Sequence, residues 1–486
     1  MGAQSTKVAR GKGPPFRVGG LSRKPKGPFD LSRRVPYAPT VDRTATAGPL
    51  AISTVSEPIP NPPAGPTSRL LSVVRDAAAV WAPSAEPGAR RPRIAAFARV
   101  VYALHLLTIG ALAISNVLLG LSILAALAAG AYRRVAWHRL RPIFVPSALY
   151  VVLLLAAIVA SSEPRQSLGS ASEIFSLATL FLAPLLLRTA AQRRSLADGV
   201  AAMVGVVAAW GLLQLAGGAR GIDHRITGPF SHWMTFAGVL LVGDFLLAAR
   251  LVVDRASRRH LWRWAALAAI NLSLLASLTR SAWVAGALTA AVFLAVQRPR
   301  WLAGLGVAAL LTYLLAPVSL AARIRSLADP RDPSNYDRLC MLDAGLHMIG
   351  ERPLFGIGPD MVRERYSIYR HPSAPRWEIP HLHNDLLELA AERGLAAAAT
   401  YLWLMVAAIV LALRRYRREG GERGPNAGLY LGAVLALVAF NLAGCFEFNW
   451  GDVEVQRLAL FLLAVPLAAL GENDEKDEGG GAEPSH

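Results

Sequence analysis

Charge is scarce in this chain. Only 17% of its 486 residues are Asp, Glu, Lys or Arg, against 53% hydrophobic residues. A mean hydropathy of +0.37 agrees. A soluble protein of this length would carry more charge, and the apolar residues come in blocks long enough to cross a ~30 Å hydrocarbon core. Acids are scarcer than bases, which leaves a net charge of +18. The positives sit in short loops and in the N-terminal tail, so they mark topology and argue against a nucleic-acid groove. The first 93 residues hold no apolar h-region, so no signal peptide is expected. The chain has two cysteines. Cys340 and Cys445 fall on the same side of the membrane. A disulfide is open to them in an oxidising compartment, and two free thiols otherwise.

What is present points to an all-α, polytopic membrane helix bundle, because only helices and closed barrels satisfy the backbone in lipid. About twelve spans are expected, near 94–114, 116–131, 143–161, 171–187, 197–217, 232–250, 262–278, 281–297, 301–321, 384–413, 428–446 and 455–471. Residues 100–132 are nearly continuous, with a break expected only around Ser115 and Asn116. Alternate loops split by charge. "YRRVAWHRLR", "RTAAQRRS", "RLVVDRASRRHLWR", "QRPR" and "RRYRREGGER" carry 19 Arg and three acids, whereas the opposite short loops carry four Arg. The positive-inside rule places the first set in the cytoplasm and, with an even span count, both termini with it.

Residues 1–93 read as a disordered basic tail rich in Pro and Gly, 94–471 as the membrane domain, and 472–486 as a disordered acidic tail. The basic tail is suited to anionic lipid headgroups. "MGAQST" fits a myristoylation pattern, though a chain with many spans gains little from a lipid anchor. Residues 322–382 form one large external loop between spans nine and ten, with nine Arg and eight acids. Within it "SNYDRLCMLDAGLHMIG" reads as a helix capped by Ser334 or Asn335 and stopped by Gly350, and "MVRERYSIY" as a second short helix. A structured loop of this length is usually functional.

The stretch "HLHNDLLELAAERG" crowds ionisable groups against an apolar run. His381, His383, Asn384, Asp385, Glu388 and Glu392 line a site there or cap the membrane interface. "HLHND" also fits an H-x-H-x-D metal pattern. Metallohydrolases need further His ligands, and the chain holds ten His, so no metal is expected. Arg220, Arg225, Arg280 and Arg338 lie on the same outer side as His383. Arg280 joins two apolar blocks with almost no loop. Guanidinium forks suit phosphate.

"RLCMLDAGLHMIGERPLFGIGPDMV" followed by "HLHNDLLELAAERGLAAAATYLWL", with "SLTRSAW" and "RITGPFSH", resembles the O-antigen ligase and polysaccharide polymerase superfamily. The resemblance covers about residues 200–455. It departs from the pattern where Asp385 and Leu386 replace an aromatic after "HN", and where alanines follow "ERG". It implies a metal-independent, cofactor-free, inverting glycosyltransferase on the periplasmic face of the bacterial inner membrane. The donor would be a glycan on undecaprenyl diphosphate, and the acceptor lipid A-core in a ligase or another glycan in a polymerase. It further implies that Arg225, Arg280 and Arg338 hold the diphosphate and that His383 acts as base on the acceptor hydroxyl or orients it. Glu392 or Asp385 would set a histidine tautomer or hold a sugar hydroxyl. His381, Asn384, Glu388, Arg220, Gly356 and Gly358 complete the expected site. A transporter and a glycan-binding scaffold stay open as other classes, and nothing in the sequence sets the oligomeric state.

Overall fold

The computed structural model describes residues 79–82, 90–218, 225–255 and 257–468. Most of the basic tail, the acidic tail and Arg220 lie outside these residues. The described part of the tail includes Trp81, whose indole Nε1 donates to Ser195 Oγ at 3.2 Å.

The described residues form helices and no strands. Twelve helices stand where twelve spans were expected: α1 (Pro92–Leu107), α2 (Leu112–Ala128), α3 (Trp137–Ala160), α4 (Ser172–Leu186), α5 (Ala190–Ala216), α6 (Trp233–Val253), α7 (Leu261–Ala276), α8 (Arg280–Gln297), α9 (Leu302–Leu314), then, after the large loop, α14 (Leu395–Arg418), α15 (Ala427–Gly444) and α16 (Val453–Ala468). Seven are long and apolar enough to cross a membrane: α3, α4 with the turn before it, α5, α6, α8, α14 and α15. The other five have 13–17 residues. The large loop supplies α10 (Val318–Arg325), α11 (Pro333–Glu351), α12 (Met361–Tyr369) and α13 (Asp385–Arg393).

The helices α6, α15 and α16 are buried along most of their length and form the axis of the bundle. Small residues let them close up: Gly432 packs on Leu246 and Gly238 on Val455, and Gly243 of α6 packs on Val204 of α5. The outer helices turn Leu and Val outward instead. Val159 and Val296 are 79% and 73% exposed, an apolar exterior that only lipid accommodates.

Four boundaries differ from the sequence expectation. The α1–α2 break falls at 108–111, not at Ser115–Asn116, because those polar side chains are satisfied inside the bundle by His105 and Arg457. The ninth apolar run stops at Leu314 and restarts as α10 after Pro317, which cannot continue a helix. Segment 384–413 is two helices, parted at Gly394. Helix α11 is capped by Asp332, whose carboxylate accepts from the Ser334 and Asn335 amides, rather than by either of those residues, and it runs through Gly350 to Glu351. Both cysteines are free thiols, Cys340 buried and Cys445 exposed.

Alternate loops gather at opposite ends of the bundle, as the charge split requires. At the arginine-rich end Arg194 donates to Asn426 (2.7 Å), Arg298 pairs with Glu422 (2.6 Å) and the Gly428 amide donates to Asp254 (3.2 Å). At the other end the loops before α6 and α8, the large loop and the α15–α16 loop surround one cavity.

Candidate functional site

The cavity has a volume of about 470 Å³. Its walls carry five arginines (Arg225, Arg280, Arg323, Arg338, Arg376) against two acids (Asp337, Glu447), with His232, His381 and His383 between them. Such a concave, cation-lined space suits an anion.

The arginines are not equivalent. Arg280 starts α8 and is buried; it pairs with Asp332 (2.9 Å) and donates to Ser326 Oγ (2.8 Å). These contacts tie α8 to the start of α11. Arg376 pairs with Asp337. Arg338, on α11, pairs with Glu447 Oε1 at 2.6 Å. Arg225 lies over the Trp233 ring, 4.6 Å from its centroid, a cation–π contact, and its N–H groups have no hydrogen-bond partner among the described residues. Arg323, on α10, forms no side-chain hydrogen bond or ion pair among the described residues. Among the described residues, two cations with spare donors therefore line the cavity.

His383 sits just before α13 with φ of +51°. A non-glycine residue in the left-handed region carries strain, which is held where surrounding structure fixes it. Here Nδ1 of His383 lies 2.8 Å from Glu447 Oε2. Both residues are buried. Burial pushes the Glu447 carboxyl up, but the hydrogen bond from His383 and the charge of Arg338 work against it, and the carboxyl is held below the usual glutamate value. Ser281 donates a further, longer bond to Glu447 (3.4 Å). An ionised Glu447 takes the proton on Nδ1 as a hydrogen-bond donor and leaves Nε2 as the acceptor, the tautomer a base requires. His381 lies alongside, its ring centroid 4.3 Å from that of His383. Its Nδ1 accepts from the His383 amide at 3.3 Å. Burial, then the neighbouring His383, push His381 down to about 3, so it is neutral.

The remaining expected residues are not in the cavity wall. Asn384 caps α13 by accepting from the Leu387 amide (2.9 Å) and donates to the Cys445 carbonyl (2.9 Å). Asp385 accepts from the Trp450 amide (2.9 Å). Together they clamp the α15–α16 loop and so aim Glu447 at His383. Glu388 accepts from the Leu382 amide (2.6 Å) and Glu392 from the Val362 amide (3.4 Å). Neither Asp385 nor Glu392 touches a histidine ring among the described residues; the carboxylate in hydrogen-bond contact with His383 is Glu447. Gly356 and Gly358 lie against α13: the Ile357 and Gly358 amides donate to the Ala391 and Glu392 carbonyls, at 2.9 and 3.0 Å. A Cβ on Gly356 would fall 2.2 Å from the Glu392 carbonyl carbon, and one on Gly358 2.1 Å from Ser161 Oγ.

Sequence reasoning passed over Glu447, Arg323, Arg376 and Trp233. Glu447 stands in "CFEFNWGDVE", where it entered only the charge balance of a loop; an acid between two phenylalanines at a span end was the available signal. Arg323 follows a run that was read as one straight span.

Residues 264–402 match a family model described as O-antigen ligase. The match supports the O-antigen ligase and polysaccharide polymerase superfamily. It holds Arg280, Arg323, Arg338, His381 and His383; Arg225 and Glu447 stand outside it. No curated protein matches the chain.

Proposed function

We propose that this membrane protein, with its O-antigen ligase match, is a glycosyltransferase that moves a glycan from undecaprenyl diphosphate to an acceptor hydroxyl at the periplasmic face of the inner membrane. The observation that carries the reading is the Arg338–Glu447–His383 chain of contacts at the edge of an arginine-lined cavity. The arginine-rich loops at the opposite end favour a cytoplasmic location for that end, which turns the cavity outward.

The chemistry follows from the geometry. Arg225 and Arg323, whose N–H groups have no partner among the described residues, offer donors to the diphosphate, and Arg280 adds charge beside them. His383 Nε2 takes the proton of the acceptor hydroxyl as its oxygen attacks the anomeric carbon. The bond from that carbon to the diphosphate oxygen breaks, and its electron pair leaves with the lipid diphosphate. One bond forms opposite the one that breaks, so the anomeric centre inverts. Glu447 stabilises the imidazolium that results. Arg338 acts through Glu447, in place of the diphosphate role that the resemblance implied. Ligase activity, with lipid A-core as acceptor, is the first reading, on the resemblance of the loop signature; polymerase activity by the same chemistry is the alternative, and the family match is compatible with both.

The test is a reconstituted transfer from a lipid-diphosphate-linked oligosaccharide, with EDTA present, beside His383→Ala and Arg280→Ala. Transfer that survives EDTA and is lost in both variants supports the reading, and the acceptor used distinguishes ligase from polymerase. Wild-type rates in His383→Ala would remove the base from the mechanism. Failure to transfer to any acceptor, by a folded protein that binds the lipid, would favour a carrier or scaffold.

A further inference from the structure

A second cavity, of about 320 Å³, adjoins the first and shares His232, His381 and Glu447 with it. Its other face is made by Thr235 at the start of α6 and by Phe448, Gly451 and Asp452 of the α15–α16 loop. We propose that this cavity binds a sugar ring of the acceptor, with the attacking hydroxyl directed at the histidine pair; the word acceptor rests on the transferase reading, whereas the sugar site itself does not.

Three observations favour a neutral, hydroxyl-rich ring there. First, its lining carries no Lys or Arg among the described residues, unlike the five arginines next door. A diphosphate therefore has its partners in the first cavity and none in the second. Second, the lining pairs an aromatic platform with a polar edge. Phe448 folds back over the loop, and a Cβ on Gly451 would fall 2.1 Å from its ring, so the absence of a side chain at 451 is what admits this arrangement. An aromatic face takes the C–H side of a sugar, and carboxyl and hydroxyl groups take its O–H groups. The Thr235 hydroxyl donates to Asp452 Oδ2, while Asp452 Oδ1 has no hydrogen-bond partner among the described residues. Burial, then the neighbouring Glu454, push the Asp452 carboxyl up, which favours the protonated form that can donate as well as accept. Third, the wall between the cavities is His381, beside His383 and 5.7 Å from Phe448 between ring centroids. A ring held in the second cavity is thus separated by one side chain, His381, from His383 in the wall of the first.

The experiment uses the full chain in lipid nanodiscs and two probes. Free monosaccharides (glucose, galactose, N-acetylglucosamine, heptose) are screened by saturation-transfer NMR. Inorganic pyrophosphate binding is measured by calorimetry as a report on the first cavity. At least one sugar should bind the wild type, and Phe448→Ala and Asp452→Asn should each weaken it at least tenfold while pyrophosphate affinity stays within twofold. Should Asp452→Asn fail to fold, Thr235→Val with Phe448→Ala carries the same test. Equal sugar binding in wild type and variants, or no sugar bound by a wild type that binds pyrophosphate, overturns the proposal. Sugar binding lost in the variants, with pyrophosphate unbound and no transfer, would sink the transferase reading and leave the sugar site standing.

Discussion

Replacing Glu447 by Gln is the most searching perturbation the site offers. The side chain keeps its shape but loses the charge that faces His383 Nδ1 at 2.8 Å and Arg338 at 2.6 Å. A Gln amide oxygen still accepts from Nδ1–H, but its NH₂ group equally donates to Nδ1 and then drives the proton to Nε2, where it blocks the base. The imidazolium formed during transfer also loses its counter-charge. A positioned base is worth ~10²–10⁴ in rate. At about 1.4 kcal/mol per decade that is ~2.7–5.5 kcal/mol of barrier. The expected result is a fall of that size in kcat at pH 7, with the donor KM changed less than about threefold, since Arg225 and Arg323 are untouched. The assay is single-turnover transfer of labelled glycan in nanodiscs, with thermal unfolding measured on the same sample. Arg338→Lys serves as a second probe; it keeps the charge on Glu447 and should lose much less. Glu447→Gln turning over within threefold of wild type, with an unchanged pH profile, would refute the assignment of Glu447 as the group that orients His383.

Arg323→Gln should lower kcat/KM for the donor by about 10- to 150-fold, the worth of one charged hydrogen bond at ~1.5–3 kcal/mol, and titration of transfer against donor concentration measures it. Asp385→Ala strands the Trp450 amide, which costs about 1–3 kcal/mol of stability and loosens Glu447; a lowered Tm and a lowered kcat are expected together. Gly358→Ala places a Cβ at a φ of +115° and against Ser161, and should cost roughly 1–3 kcal/mol while each folded molecule keeps its rate; loss of rate alone would return Gly358 to the substrate. His381 is held down to about 3, so from about 6.5 to 3 the unfolded chain binds a proton that the folded chain refuses. Stability from this group is complete above about 6.5 and falls as pH is lowered towards 3; His381→Gln should flatten that part of a Tm–pH curve.

The bundle was legible because lipid imposes one rule on every span, and a run of apolar residues states it directly. His383 and Arg280 were legible for the converse reason: each is an ionisable group where an apolar block begins, and such a group needs a partner. That rule names the need and not the partner. Glu388 and Glu392 satisfy it with backbone, because the large loop folds back onto α13 and leaves the Leu382 and Val362 amides in search of acceptors. Read from the chain alone, a carboxylate that holds a loop and a carboxylate that holds a sugar look the same. Glu447 was hidden for the opposite reason. Its contact with His383 spans 64 positions, and Asn384 and Asp385 help to pin the α15–α16 loop that carries it to the start of α13. The two residues next to the histidine thus act on it at one remove: they fix the loop, the loop carries the acid, and the acid sets the proton. If that order holds, Asn384→Ala and Asp385→Ala should mimic Glu447→Gln in the pH profile of transfer, since all three disturb the same proton. A direct role for either residue on the sugar would instead move acceptor KM and leave the profile in place.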